Sequence, residues 1–200
     1  MESNTLPADS HPVRTSRNFK ARALAIAGPL LIVPRRFDDG RGFFLETWSE
    51  RDLASLGVAE HFVQDNHSRS AAAGTVRGLH FQLPPSSQAK LVRVLRGAVL
   101  DVAVDIRHGS PTYGRHVAVE ISAADARQLY IPAGFAHGFC TLEPDTEVAY
   151  KVSEYYDPGF ERGVAWDDPD LALPWPAAAG NAVLSDKDRR LPRLRDLVRG

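Results

Sequence analysis

A single cysteine, Cys140, stands in a chain of 200 residues. That excludes an intrachain disulfide framework and any metal site built from several thiolates, and it suits a reducing compartment. Long apolar runs are missing as well. The most apolar stretch, residues 23–33, is interrupted by Gly28-Pro29 and is too short to span a bilayer. Pro34-Arg35-Arg36 follows it where a secretory signal needs small residues for cleavage, so a cytoplasmic protein with no membrane partner is expected. Charge of one sign is lacking too: 24 basic residues balance 25 acidic ones, leaving no strong field to hold the chain on nucleic acid. There is no Gly-x-Ser-x-Gly nucleophile elbow and no phosphate loop. His61, His67, His80, His116 and His137 form no His-x-His pair. Glu143 follows His137 by six residues without a second histidine beside it, so no metal is expected.

What is present is punctuation. Fifteen glycines and fourteen prolines cut the chain into short β-rich runs with almost no helical period. Residues 1–22 mix Ser, Pro, Asn and charge without apolar alternation and read as a leader. Residues 23–200 read as one domain ending in a helical or irregular tail. Strands are expected over residues 30–33, 43–48, 62–68, 76–82, 90–95, 98–106, 116–121, 128–131, 138–142 and 147–152. Ser49 caps a short expected helix that Gly57 stops. Arg96-Gly97 between two β-rich runs signals a hairpin. Residues 185–200, where Arg and Leu interleave with Asp186, Asp188 and Asp196, read as a solvated amphipathic helix. Evenly spaced short strands of this kind predict an all-β sandwich or barrel.

With nucleophile, phosphate and metal signatures absent, general acid–base chemistry remains. It needs a base, a group that orients it, an acid on the opposite face and a cation to hold developing negative charge. His80, a carboxylate such as Asp168, Tyr150 and Lys90 can fill those roles. Each also has an ordinary structural reading: His80 a satisfied strand imidazole, Tyr150 a half-buried strand aromatic, Lys90 a strand end, Asp168 a turn residue before Pro169. Gln64, Asn66 and Ser68 share one face of an unusually polar strand, which marks a wet or ligand-facing surface.

Seven ordered blocks carry a resemblance. They are Asp39-Gly40-Arg41-Gly42-Phe43-Phe44-Leu45-Glu46, Val63-Gln64-Asp65-Asn66-His67-Ser68, Val76-Arg77-Gly78-Leu79-His80-Phe81-Gln82 and Ala89-Lys90-Leu91-Val92-Arg93, followed by Asp101 to Arg107, Ile131-Pro132-Ala133-Gly134-Phe135-Ala136-His137-Gly138-Phe139, and Tyr150-Lys151 through Tyr156-Asp157-Pro158. Together they resemble the dTDP-4-dehydrorhamnose 3,5-epimerase family over residues 30–175, with a weaker echo in Leu184-Ser185-Asp186-Lys187-Asp188.

The resemblance implies an all-β, cupin-type jelly-roll barrel with short helices and irregular terminal extensions, a homodimer, and an isomerase without metal or organic cofactor. The implied reaction inverts C3 and C5 of dTDP-4-dehydro-6-deoxy-D-glucose to give dTDP-4-dehydro-L-rhamnose. His80 is similar to the family's base, Asp168 (or Asp167 beside it) to the orienting carboxylate, Tyr150 to the acid, and Lys90 to the residue near the 4-keto oxygen. Arg41 and Arg77 resemble diphosphate ligands, and Phe44 and Tyr156 resemble the aromatic faces that hold thymine. Glu46, Gln64 and Asn66 resemble polar contacts to the nucleoside, and His137 lies near the sugar. A partner subunit is implied to supply some of these. The rival readings are a single-centre epimerase of a dTDP-4-keto-6-deoxysugar, a cupin that binds nucleotide sugars without catalysis, and a metal-dependent cupin. One conflict stands: strict alternation puts Arg77 and His80 on opposite strand faces, unless the strand bulges at Gly78 or the ligand reaches around an edge.

Overall fold

A computed structural model of the chain describes residues 12–197. The leader reading for residues 1–11 and the end of the tail lie outside the described residues. β1 (Val13–Thr15), β2 (Phe19–Ala23) and β3 (Leu30–Pro34) form an antiparallel meander. Among the described residues β4 (Arg36–Asp39) and β5 (Gly42–Leu45) pair only with each other, in a separate hairpin. A short helix follows, α1 (Glu50–Ala54), whose cap is the expected Ser49: its Oγ accepts the Asp52 N–H at 3.4 Å. The main body is β6 (Gln64–Ser70), β7 (Val76–Gln82), β8 (Lys90–Arg96), β9 (Ala98–Asp105), β10 (His116–Ser122), β11 (Gln128–Ile131), β12 (Phe135–Thr141) and β13 (Thr146–Val152). β14 (Glu161–Gly163) adds a last edge strand, and the tail ends in α2 (Leu194–Leu197).

Two sheets result. One has seven strands in the order β1-β2-β3-β11-β8-β13-β6, the other five in the order β10-β9-β12-β7-β14. Val92, Leu129, Ile131 and Val148 of the larger sheet meet Val99, Ala103, Ile121, Phe135 and Phe139 of the smaller one in a common core. Outside the larger sheet, Leu53, Leu56 and Val58 cover Phe19, Ile32, Leu91 and Tyr130. Outside the smaller one, the tail lays Val164, Leu171 and Leu194 on Leu79, Leu100, Val102 and Val104. β9 is therefore buried on both faces, and its Asp101 and Asp105 point inward with no exposure. This is the cupin-type jelly roll that the motifs imply. No helix among the described residues is long and apolar enough to cross a membrane.

Three expectations change. Residues 13–23 are not leader: β2 packs Phe19 and Ala21 into the core, and only its alternating Lys20 and Arg22 make the segment look polar. β8 and β9 are not a hairpin, since β8 pairs with β11 and β13 while β9 pairs with β10 and β12. Arg96-Gly97 turns the chain from one sheet to the other, a corner that uses the same left-handed glycine as a hairpin. The tail is no continuous amphipathic helix either; within 185–197 it holds only one 3₁₀ turn (Asp188–Arg190) and α2.

Candidate active site

The two sheets part at one end of the sandwich, and the gap is a cleft with an inner chamber of about 430 Å³. Each wall is set by strand parity. On β8 and β13 the inward positions that carry Val92 and Val148 in the core continue to Lys90 and Tyr150 at the cleft. On β6 the cross-strand partners of Tyr150 and Val152 are Asn66 and Gln64, so the polar face read from the sequence does point inward. From the smaller sheet, β7 and β12 place His80 and His137 opposite each other. A second chamber of about 260 Å³ shares His80, Lys90 and Tyr150 and adds Gln64, Asn66, Tyr156 and Glu161.

The conflict over Arg77 and His80 is resolved by a bulge. His137 pairs with His80 and Phe139 with Arg77, so three steps along β7 match two along β12. The extra residue brings Arg77 and His80 to the same chamber. Gly78 is required there: it has φ +119°, and a Cβ would lie 2.6 Å from Gly138 Cα and 2.7 Å from His137 O. Arg77 is held by Nε donation to Ser70 Oγ at 3.1 Å and Nη2 donation to Arg69 O at 3.1 Å.

The carboxylate that meets His80 is Asp188, not Asp168. His80 Nε2 lies 2.6 Å from Asp188 Oδ1, and the Asp188 side chain is nearly buried. Asp168 is engaged elsewhere: its Oδ2 accepts the Leu194 N–H at 2.7 Å and its Oδ1 the Asp170 N–H at 3.0 Å, which ties the start of α2 to the preceding turn. Asp167 is exposed. Burial alone pushes the Asp188 carboxyl up, but the hydrogen bond and charge of His80, with Ser185 and Lys187, bring it below the usual range. An ionised carboxylate at Nε2 keeps the proton on that nitrogen and leaves Nδ1 of His80 free to accept another.

Lys90 is buried, with Nζ donating to His80 O at 3.3 Å. Burial lowers its pKa to about 8, against the opposing pull of Asp101 and Glu161. Burial also raises the Tyr150 phenol, opposed by Arg77 and helped by Glu161, so it remains a neutral donor at neutral pH. His137 forms a second dyad: its Nε2 lies 2.6 Å from Asp101 Oδ1, with both side chains almost wholly buried. Burial pushes His137 down, and Asp101 restores only part of that, which leaves a neutral ring.

The cleft is closed on one side by residues 183–188, pinned by Asp188 to His80 and by an ion pair between Lys187 and Glu161. Glu161 also accepts the Tyr156 hydroxyl at 2.7 Å. Asp188, Lys187, Glu161 and Asp101 are thus site residues that the sequence reading did not single out. For the first two, the Leu184–Asp188 echo was the available signal.

Arg41, Phe44 and Glu46 are not brought to this cleft. Arg41 pairs with Asp39 on the β4–β5 hairpin, and Phe44 is 64% exposed there. Among the described residues no cluster of three or more His, Cys, Asp or Glu side chains is placed to hold a metal ion.

Comparison with known proteins accounts for this constellation. The family model described as dTDP-4-dehydrorhamnose 3,5-epimerase matches residues 23–196. The chain is 51% identical to the dTDP-4-dehydrorhamnose 3,5-epimerase of Sinorhizobium fredii, over 88% of this chain and 90% of that one. Its fold matches the crystal structure of the Bacillus anthracis enzyme with TDP and PPi bound at TM-score 0.85 and 50% identity, covering 88% and 99% of the two chains. A structure from Legionella pneumophila in complex with dTDP-4-keto-L-rhamnose matches at TM-score 0.84 and 44% identity, covering 88% and 93%. A 3'-monoepimerase from Streptomyces bikiniensis in complex with dTDP-quinovose is more distant in sequence, at 35% identity and TM-score 0.81, covering 88% of each chain. With a bulged His80 strand, a buried lysine and a facing tyrosine in a jelly-roll cleft, and with half its sequence shared over nearly all of its length, the chain belongs to the dTDP-4-dehydrorhamnose 3,5-epimerase family.

Proposed function

We propose that His80, Asp188, Lys90 and Tyr150 carry out this isomerase's inversion of C3 and C5 of dTDP-4-dehydro-6-deoxy-D-glucose, by proton exchange through an enolate. A proton next to a ketone leaves only if the resulting oxyanion is stabilised. His80 Nδ1 takes the proton, and Asp188 stabilises the imidazolium that forms. Lys90, buried and charged at neutral pH, meets the 4-keto oxygen as it gains charge. Tyr150, a neutral phenol on the opposite sheet, returns a proton from the other face, and that is what inverts the carbon. The observation that carries this reading is that His80 and Tyr150 come from facing sheets and line one chamber together with Lys90 and Asp188.

Arg77 in the same chamber suits the diphosphate, because a guanidinium fork matches phosphate oxygens. Gln64, Asn66 and Tyr156 line the adjoining chamber, which suits the nucleoside. The hairpin that carries Arg41, Phe44 and Glu46 supports a homodimer in which each subunit's β4–β5 reaches its partner's cleft. Phe37, Phe43 and Phe44 expose a large apolar surface on this two-stranded ribbon.

Incubation with the keto sugar in deuterated water tests the reading. Deuterium is expected at both C3 and C5, and label at one centre alone overturns double epimerisation. His80→Asn is expected to slow exchange at both positions by about 10³-fold. Undiminished exchange in that variant would show that His80 is not the base.

A further inference from the structure

Gln82 lies two residues beyond His80 at the end of β7, and it is buried. Both N–H groups and the oxygen of its side-chain amide are engaged, and two of the three bonds converge on one short segment. Nε2 donates to Ser86 O at 2.6 Å and to Tyr155 O at 3.2 Å, while Oε1 accepts the Asp157 N–H at 2.8 Å. The peptide groups on both sides of Tyr156 are therefore held by one side chain. Tyr156 is further restrained by its own N–H on Gln64 Oε1 at 3.2 Å and its hydroxyl on Glu161 at 2.7 Å. Its ring is otherwise half exposed. An exposed aromatic fixed at backbone and hydroxyl loses little further freedom when a flat ligand settles on it.

We propose that Gln82 is a positioning residue for nucleotide recognition, clamping the backbone on either side of Tyr156 so that the ring stands preformed as a wall for the base. This rests on the reading of Tyr156 as part of the nucleoside site. The amide is suited to the task because the loop presents a carbonyl on one side of Tyr156 and an N–H on the other. Only a group that both donates and accepts satisfies the two. The same side chain joins the turn after β7 to the loop after β13, so the wall is referenced to the strand that carries His80.

Gln82→Glu keeps the bond from the Asp157 N–H but loses both donations and sets a carboxylate against the Ser86 and Tyr155 carbonyls. The affinity for dTDP, measured by titration calorimetry, is expected to fall about tenfold. KM for the keto sugar should rise by a similar factor while kcat changes less than twofold. Tyr156→Ala should also weaken dTDP binding, and the double variant should bind no more weakly than Tyr156→Ala alone. Wild-type affinity in Gln82→Glu, or fully additive losses in the double variant, overturns the inference and leaves the nucleoside reading standing. A fall in kcat with KM unchanged also overturns it, because Gln82 would then act through His80. Undiminished affinity in Tyr156→Ala overturns the nucleoside reading and the inference with it. Should the glutamate prevent folding, Gln82→Asn, one methylene short of the loop, gives the same readouts.

Discussion

His80 and His137 are cross-strand partners on β7 and β12, and each places its Nε2 2.6 Å from a different aspartate. The two dyads differ in burial. The His80 side chain is 27% exposed, whereas those of His137 and Asp101 are 7% and 0% exposed. Holding a charge in the second dyad costs desolvation that nothing but Asp101 offsets, so His137 suits a neutral hydrogen-bonding role. The first dyad, open on one side, suits proton exchange.

The exchange of Asp168 for Asp188 as the orienting carboxylate separates two variants. Asp188→Asn should lower kcat by about 10²–10⁴-fold with little change in KM, since the amide no longer stabilises an imidazolium. Asp168→Asn should leave kcat within about twofold and instead cost about 1–3 kcal/mol of stability, because a buried acceptor of two backbone N–H groups is weakened. Steady-state kinetics and thermal melts of the pair check this, and the opposite pattern would restore Asp168 to the dyad.

Gly78 carries both geometric demands of the bulge. Gly78→Ala combines a backbone angle that L-residues avoid with contacts on the backbone of β12, which cannot yield as a flexible side chain can. A loss of about 2–4 kcal/mol is expected. Any folded fraction should show a greater loss of kcat than Gln82→Glu, since His80 itself is displaced. Denaturant melts with single-turnover assays measure both.

Evenly spaced short strands made the all-β class legible, while the resemblance, not periodicity, implied that His80, Lys90 and Tyr150 share one cleft. Alternation puts Gln64, Asn66 and Ser68 on one strand face, and their polarity marks that face as wet or ligand-facing. Strict alternation fails at Arg77 and His80, where a bulge, one of the two resolutions the sequence offers, inserts a residue and inverts parity. Arg96-Gly97 misled because a sheet-to-sheet corner and a hairpin need the same glycine. Asp188 was hidden by distance: 108 residues separate it from His80, and its one local signal was the weak Leu184–Asp188 echo in a charged tail. Asp168, before a proline and between tryptophans, looked more purposeful. Its purpose proves to be capping α2.

Lys90 links pH to both activity and stability. Its folded pKa of about 8 lies below the unfolded value of 10.5. Between those values the unfolded chain holds a proton that the folded chain has released, so this group's contribution to stability rises with pH across that window. Below about pH 8 the charge stays buried, at a cost of about 2–4 kcal/mol. Lys90→Met should therefore raise stability at pH 7 by about 1–3 kcal/mol while lowering kcat at least about 10²-fold. In the unsubstituted enzyme kcat should fall above about pH 8. Lys90→Arg, if it turns over at all, should lose that alkaline limb. A limb that persists unmoved in Lys90→Arg belongs to another group.

The β4–β5 hairpin gives the last prediction, because a residue that acts in the partner's cleft can be complemented and one that acts in its own cannot. Arg41→Ala and His80→Asn should each leave little activity as pure dimers, the first through a weakened diphosphate site and the second through the missing base. Refolded together in equal amounts, half the dimers carry one defect on each subunit. If the hairpin acts in trans, one cleft of such a hybrid combines the intact His80 of its own chain with the intact hairpin of its partner, while the other carries both defects. If the hairpin acts in cis, each cleft of the hybrid keeps one defect and no activity is recovered. The converse arrangement places both substitutions on one chain. A doubly substituted chain mixed with unsubstituted chain gives hybrids in which a hairpin acting in trans spoils both clefts, leaving about a quarter of the sites intact, whereas a hairpin acting in cis leaves about half. Activity of the equal mixture near one quarter of the unsubstituted enzyme therefore supports exchange of the hairpin across the dimer, and activity near one half sinks it.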